Sequence, residues 1–144
     1  MKKEGFPEGI RLVHTETMAI RWGDMDAMMH VNNTVYFRYM EQARIGWIET
    51  LGVGLTAQEA EGPVIANASC KFRRPLKYPG GVEVRLYAGR VGRSSLPTYY
   101  EMRRTDDPET VYAMGEALFV WISNVTGKPA VFPETVRRRL EAQA

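Results

Sequence analysis

The stretch RWGDMDAMMHVNNTVY, Arg21 to Tyr36, gathers two aspartates, one of the chain's two histidines and two asparagines just ahead of an apolar run with helical spacing. A carboxylate in that position can act as a general base or as a nucleophile. It would sit near the positive end of a helix dipole and near backbone N–H groups that have no partner inside the helix, the donors that hold an oxygen on which negative charge develops. Asp24 and Asp26 both compete for the role. Asp24 lies closer to the preceding strand, where an aspartate more often accepts turn N–H bonds or pairs with an arginine. His30 has no obvious serine or cysteine nucleophile beside it and reads as an orienting residue or a loop hydrogen-bond partner rather than a general base. Two histidines and one cysteine at these spacings match no metal-ligand pattern, and no Walker-type or dinucleotide-binding motif is present.

The elements around this stretch follow from periodicity. From Thr15 to Trp22, Met18, Ile20 and Trp22 alternate with Thr17, Ala19 and Arg21, which predicts a half-buried strand. After a turn-rich segment the period changes, and Val35, Tyr36, Tyr39, Met40, Ala43, Trp47, Ile48 and Leu51 fall at three- and four-residue steps. This is one long amphipathic helix, capped by Asn32 or Asn33 and stopped by the glycines of LGVG. Four more strands follow: PVIANASCKFRRP, GVEVRLYAGRV, LPTYYEMRRT and ETVYAMGEALFVWI, separated by turn residues. In the second of these Val82, Val84, Leu86 and Ala88 alternate with Glu83, Arg85 and Tyr87, so one face should meet water. The last is apolar on both faces and should lie inside the sheet. Pro133 then opens a short C-terminal helix to about Leu140. The expected architecture is α+β: a five-stranded antiparallel sheet, one long helix against it and a short C-terminal helix. Its open edges favour dimerisation.

The whole chain sets outer bounds. Its 144 residues suit a single domain spanning 1–144, in which a larger site would have to be shared between subunits. A net charge of +2, with cations scattered except for RRR at 137–139, lacks the basic stripe of a nucleic-acid binder, and the run itself suits a solvated helix C-terminus. The longest purely apolar run, ALFVWI, is too short to span a bilayer, and the early lysines have no apolar segment behind them. One cysteine, Cys70, fits a reducing cytoplasmic setting as a small buried hydrophobe.

Taken together, the order of elements and these residues resemble the hotdog fold, and within it the 4-hydroxybenzoyl-CoA thioesterase-like branch of acyl-CoA thioesterases. The resemblance runs over residues 12–133. RWGDMDAMMHVNNTVYFRYMEQAR is similar to the family signature of an aromatic-x-D-x-D turn and an H-V-N-N step into the helix, with Tyr36 and Glu41 on its first turns. FRRPLKYPGGVEV and VGRSS are similar in place and kind. The resemblance implies an acyl-CoA thioesterase with Asp26 as general base on water or as nucleophile through a mixed anhydride, and a backbone N–H near Asn33 as oxyanion donor. It puts His30, Tyr36 and Asn67 at the substrate, Asn67 being contributed by a facing subunit, and Arg93, Ser94 and Lys128 at the nucleotide end of coenzyme A. It also implies a homodimer or homotetramer with no metal and no cofactor beyond the substrate's own coenzyme A.

The signature has one departure, Met28-Met29 where the family commonly has glycine before the histidine. Methionine takes a positive φ less readily than glycine, so the loop is expected to follow another path, with the thioethers lining an acyl pocket or packing beneath the loop. Two other readings belong to the same fold. An (R)-specific enoyl-CoA hydratase would carry Asp-x-Asn-Pro-x-His, which this chain lacks. A non-catalytic acyl-CoA-binding module would tolerate loss of the carboxylate, whereas both aspartates are present here.

Overall fold

The computed structural model describes residues 3–53 and 58–142. In chain order the elements are β1 (Arg11–Ala19), a single 3-10 turn (Trp22–Asp24), α1 (Asn33–Thr50), β2 (Glu61–Phe72), β3 (Gly81–Ala88), β4 (Ser95–Arg104), β5 (Ala113–Ser123) and α2 (Glu134–Ala142). The five strands form one antiparallel sheet in the order β1-β3-β4-β5-β2. β5 is interior, as its two apolar faces require. β1 and β2 are the edges, and β2 is exposed along most of its length.

The long helix forms where its periodicity places it. Asn32 is the N-cap, its side chain accepting from the Thr34 N–H at 2.9 Å, and Gly52 follows the C-cap with φ +70°, a conformation that glycine adopts without penalty. Tyr36, Tyr39, Met40, Ala43, Trp47 and Ile48 are buried against the concave face of the sheet. That face is made by Val82, Val84 and Leu86 of β3, Tyr100 and Met102 of β4, and Phe119 and Trp121 of β5. Fully burying each such side chain is worth about 1.5–3 kcal/mol, which makes this layer the main source of stability. The Met40 side chain packs directly on Gly115 of β5, where a Cβ would lie 2.6 Å from the Met40 sulfur, so a side chain there would force the thioether to move.

Two sequence expectations shift. The first strand runs Arg11–Ala19, not Thr15–Trp22, because pairing with β3 from Arg11↔Ala88 to Ala19↔Gly81 sets its limits. Beyond it the turn chemistry of Gly23-Asp24 overrides the alternation: Asp24 and Met25 donate their N–H groups back to Arg21 and Trp22, and Trp22 is 69% exposed instead of ending a strand. The second shift concerns the outward face of β3. Tyr87 is buried, because residues 3–10 cross the convex face of the sheet. Phe6 and Ile10 pack on Tyr87 and Met114, while Lys3 reaches Glu101 at 3.1 Å and lies over the Tyr87 ring. Burial alone would raise the Glu101 pKa. Hydrogen bonds from Tyr87 and Lys3, with Arg103 beside it, hold that carboxyl below the usual range.

Candidate active site

The segment between the 3-10 turn and α1 is a tight hairpin. Met25 and Val31 pair across it, the Asp26 N–H donates to the His30 carbonyl at 2.8 Å, and the Met29 N–H donates to the Asp26 carbonyl at 3.0 Å. Met29 has φ +61°, the left-handed residue that follows a type I turn in a hairpin of this length. The glycine-like path is therefore kept in spite of the methionine, contrary to expectation, and the position carries about 1–3 kcal/mol of backbone strain. Nor do the thioethers line a pocket or pack under the loop. Met28 and Met29 are 75% and 58% exposed, because the left-handed turn directs this corner of the hairpin to the surface.

The two aspartates divide the work of this segment. Asp24 is 5% exposed. One of its oxygens accepts from the Tyr39 hydroxyl at 2.8 Å and from the Arg21 N–H at 2.9 Å. Its backbone carbonyl accepts the Asn32 N–H, tying the turn to the start of α1. Burial, and then the bond to Asp24, push the Tyr39 hydroxyl far above its ordinary pKa, so it stays a donor. Asp26 is half-buried. Its Oδ1 accepts from the Met28 N–H at 2.9 Å and, at a long 3.4 Å, from the His30 N–H, the side-chain turn that aspartate commonly forms. Its Oδ2 has no protein partner among the described residues.

Asp26 opens onto a cleft of about 320 Å³ that it shares with His30, Val31, Asn33 and Tyr36. Asn33 is the first residue of α1, and its backbone N–H has no acceptor among the described residues, since Thr34 and Val35 bond to Asn32 and the Val31 N–H goes to Leu76. Asp26, with one carboxylate oxygen unengaged, and Asn33, with its helix N-terminal N–H unengaged, thus line one cavity. The Tyr36 hydroxyl accepts the Leu76 N–H at 3.1 Å, and its ring meets Phe72 edge-on with centroids 4.9 Å apart, forming an apolar wall. Burial raises the Tyr36 pKa, an effect partly offset by the Leu76 bond. The rest of the rim, Phe72 to Pro75, comes from the end of β2 and the residues just after it. Its cationic members, Arg73 and Arg74, were not singled out from the sequence. The signal available there was the pair of adjacent arginines ahead of Pro75, but only tertiary packing brings them to the cleft. Cys70 is no competing nucleophile, since burial pushes its thiol up to about 11.

The remaining predicted residues lie elsewhere. Asn67, exposed beside an irregularity in the β2–β5 register, lines a separate cavity of about 290 Å³ with Pro97, Tyr99 and Glu116. The Ser94 carbonyl accepts from Trp121 and the Lys128 carbonyl from Ser123, which puts Arg93, Ser94 and Lys128 at the far end of β5. The cleft lies beyond the near end, where Phe72 pairs with Ala113. At roughly 3.3 Å per residue the two ends are about 30 Å apart.

Known proteins share this fold. Residues 20–140 match the thioesterase-like superfamily. A solved structure of a proposed thioesterase from Pseudomonas aeruginosa is 40% identical, superposes with a TM-score of 0.85, and the match covers 90% of this chain and 99% of that one. A thioesterase from Thermus thermophilus, solved in complex with coenzyme A and zinc, is 28% identical with a TM-score of 0.79 over 95% of this chain and 96% of its own. Among curated proteins, the chloroplastic acyl-acyl carrier protein thioesterase ATL3 of Arabidopsis thaliana is 25% identical over 92% of this chain and 70% of its own length.

Proposed function

This chain belongs to the thioesterase-like superfamily as a hotdog-fold thioester hydrolase, and we propose that it cleaves acyl-CoA with Asp26 as the catalytic carboxylate. The observation that carries the reading is the shared cleft in which Asp26 Oδ2 and the Asn33 N–H are both without a protein partner among the described residues. Hydrolysis needs a base or nucleophile next to the thioester carbon and a donor at the carbonyl oxygen as charge develops there. Asp26 supplies the first, acting on water or directly on the carbonyl carbon, and the Asn33 N–H supplies the second. His30 and Tyr36 shape the pocket around the acyl group.

Asn67, Arg93, Ser94 and Lys128 enter the same reaction through a second copy of the chain. In an antiparallel homodimer along the β2 edges, Phe72 of one copy would lie near Glu61 of the other, so the Arg93 and Lys128 end of one copy would approach the cleft of its partner. The open β2 edge, with its row of unpaired backbone groups, supports this arrangement. The single, half-buried Cys70 is in keeping with a cytoplasmic location.

The test is a thiol-release assay over short, long and aromatic acyl-CoAs with the native protein and with Asp26→Asn. Turnover by the native protein and its loss in Asp26→Asn is the expected result. Full activity in Asp26→Asn, with loss in Asp24→Asn, would overturn the assignment. Binding of coenzyme A without turnover of any thioester would favour the non-catalytic module.

A further inference from the structure

Arg73 and Arg74 line the same cleft as Asp26, and among the described residues neither side chain takes part in an ion pair or a hydrogen bond. Their backbone is fixed: both N–H groups converge on the Tyr112 carbonyl, at 2.9 and 3.0 Å, and Pro75 closes the segment. Arg73 also borders the neighbouring cavity under the N-terminal segment, its guanidinium lying near Gly5. Two arginines without an ion pair, on a rigid base lining a small cleft, create a positive potential there that an apolar acyl chain alone would not use, even with Glu116 lining the neighbouring cavity beside Arg73. Within the same seven residues Lys71 and Lys77 add charge of the same sign, and no acidic residue falls between them.

We propose that Arg73 and Arg74 are specificity residues that hold an anionic oxygen group of the thioester substrate, either a carboxylate on the acyl chain or a phosphate of the carrier. The proposal rests on the thioesterase reading of the cleft. A planar guanidinium can bind either oxyanion through two parallel hydrogen bonds. The contact is made in the ground state as well as during reaction, so it governs substrate capture and shows in KM rather than in kcat.

The experiment compares the native protein with Arg73→Gln, Arg74→Gln and the corresponding lysine variants on three thioesters of equal chain length. These are a neutral acyl-CoA, an acyl-CoA ending in a carboxylate, and the neutral acyl group on N-acetylcysteamine, which carries no phosphate. Both side chains are exposed, so melting temperatures should not move. Loss of about 10- to 100-fold in kcat/KM through KM, confined to the carboxylated substrate, assigns the pair to the acyl end. Equal loss on both CoA substrates, absent on the N-acetylcysteamine thioester, assigns it to the carrier phosphates. In either case lysine restores part of the activity, and added salt weakens the native enzyme on the same substrates. Equal loss on all three, or no loss on any, overturns the proposal. If the native protein hydrolyses none of them, the thioesterase reading fails. Calorimetric titration with coenzyme A and with a free dicarboxylate then judges the arginines alone, and unchanged affinity for both in the glutamine variants overturns their role.

Discussion

Asp24 and Asp26 are two residues apart on one turn, yet they sit in opposite physical situations. Asp24 is buried, and its carboxylate is consumed by the Tyr39 hydroxyl and the Arg21 N–H. Asp26 faces the cleft with one oxygen engaged by its own loop and the other unengaged. A buried carboxylate with all its hydrogen bonds inside the protein stabilises the fold and has nothing left to offer a substrate. A carboxylate anchored through one oxygen is held in a fixed direction and keeps a lone pair for chemistry. The difference between a structural and a catalytic acid here is access: Asp24 is buried away from the cleft, whereas Asp26 lines it.

The comparison is most sharply tested at Asp26. An asparagine in its place can accept the same turn hydrogen bonds through its amide oxygen, so Asp26→Asn should fold with an unchanged denaturation midpoint while kcat for thioester release falls by about 10³-fold or more. A large drop in stability with activity per folded molecule retained would reverse the roles of the two residues. Asp24→Ala should do the opposite. Leaving the Tyr39 hydroxyl and the Arg21 N–H without their acceptor costs about 2–3 kcal/mol in urea unfolding, and the fraction that folds keeps most of its turnover. Tyr39→Phe removes the same bond from the other side but leaves Asp24 its Arg21 N–H, so it should cost about 1.5–2 kcal/mol by the same measurement. The smallest effect belongs to Met29→Gly. Relief of the left-handed strain, less the greater chain entropy of glycine, should stabilise the protein by about 0.5–1 kcal/mol with activity unchanged, read as a small rise in melting temperature.

The closeness of the two aspartates also shows how far the site could be read from the chain alone. That Asp26 stands just ahead of a helix, and that the helix begins at about Asn32 or Asn33, follows from the spacing of D-x-x-x-H-V-N-N and the onset of a 3.6-residue period. Which N–H would be unengaged did not follow, because the Thr34 and Val35 donors are taken up by Asn32 and only the folded structure reveals it. Arg73 and Arg74 were passed over for a related reason. They lie about fifty residues beyond Asp26 in the chain and reach the cleft through the pairing of β2 with β5. Residues 3–10 carry no periodic signal, and only the folded sheet, through the Tyr87 ring and the Met114 side chain, gives them something to cover.

By itself, then, the sequence determined what short-range physics controls: the period-2 and period-3.6 segments, an asparagine cap, a glycine stop and a turn-rich segment around Asp26. Tertiary structure decided everything that depends on distant partners: the end of β1, the burial of Asp24 against Tyr39, the arginines at the rim, and the separation of Arg93, Ser94 and Lys128 from the cleft by the length of β5. The reason is physical. A local pattern fixes which groups a residue offers, but whether a given oxygen or N–H is already satisfied depends on neighbours that only the packed fold brings within about 3 Å.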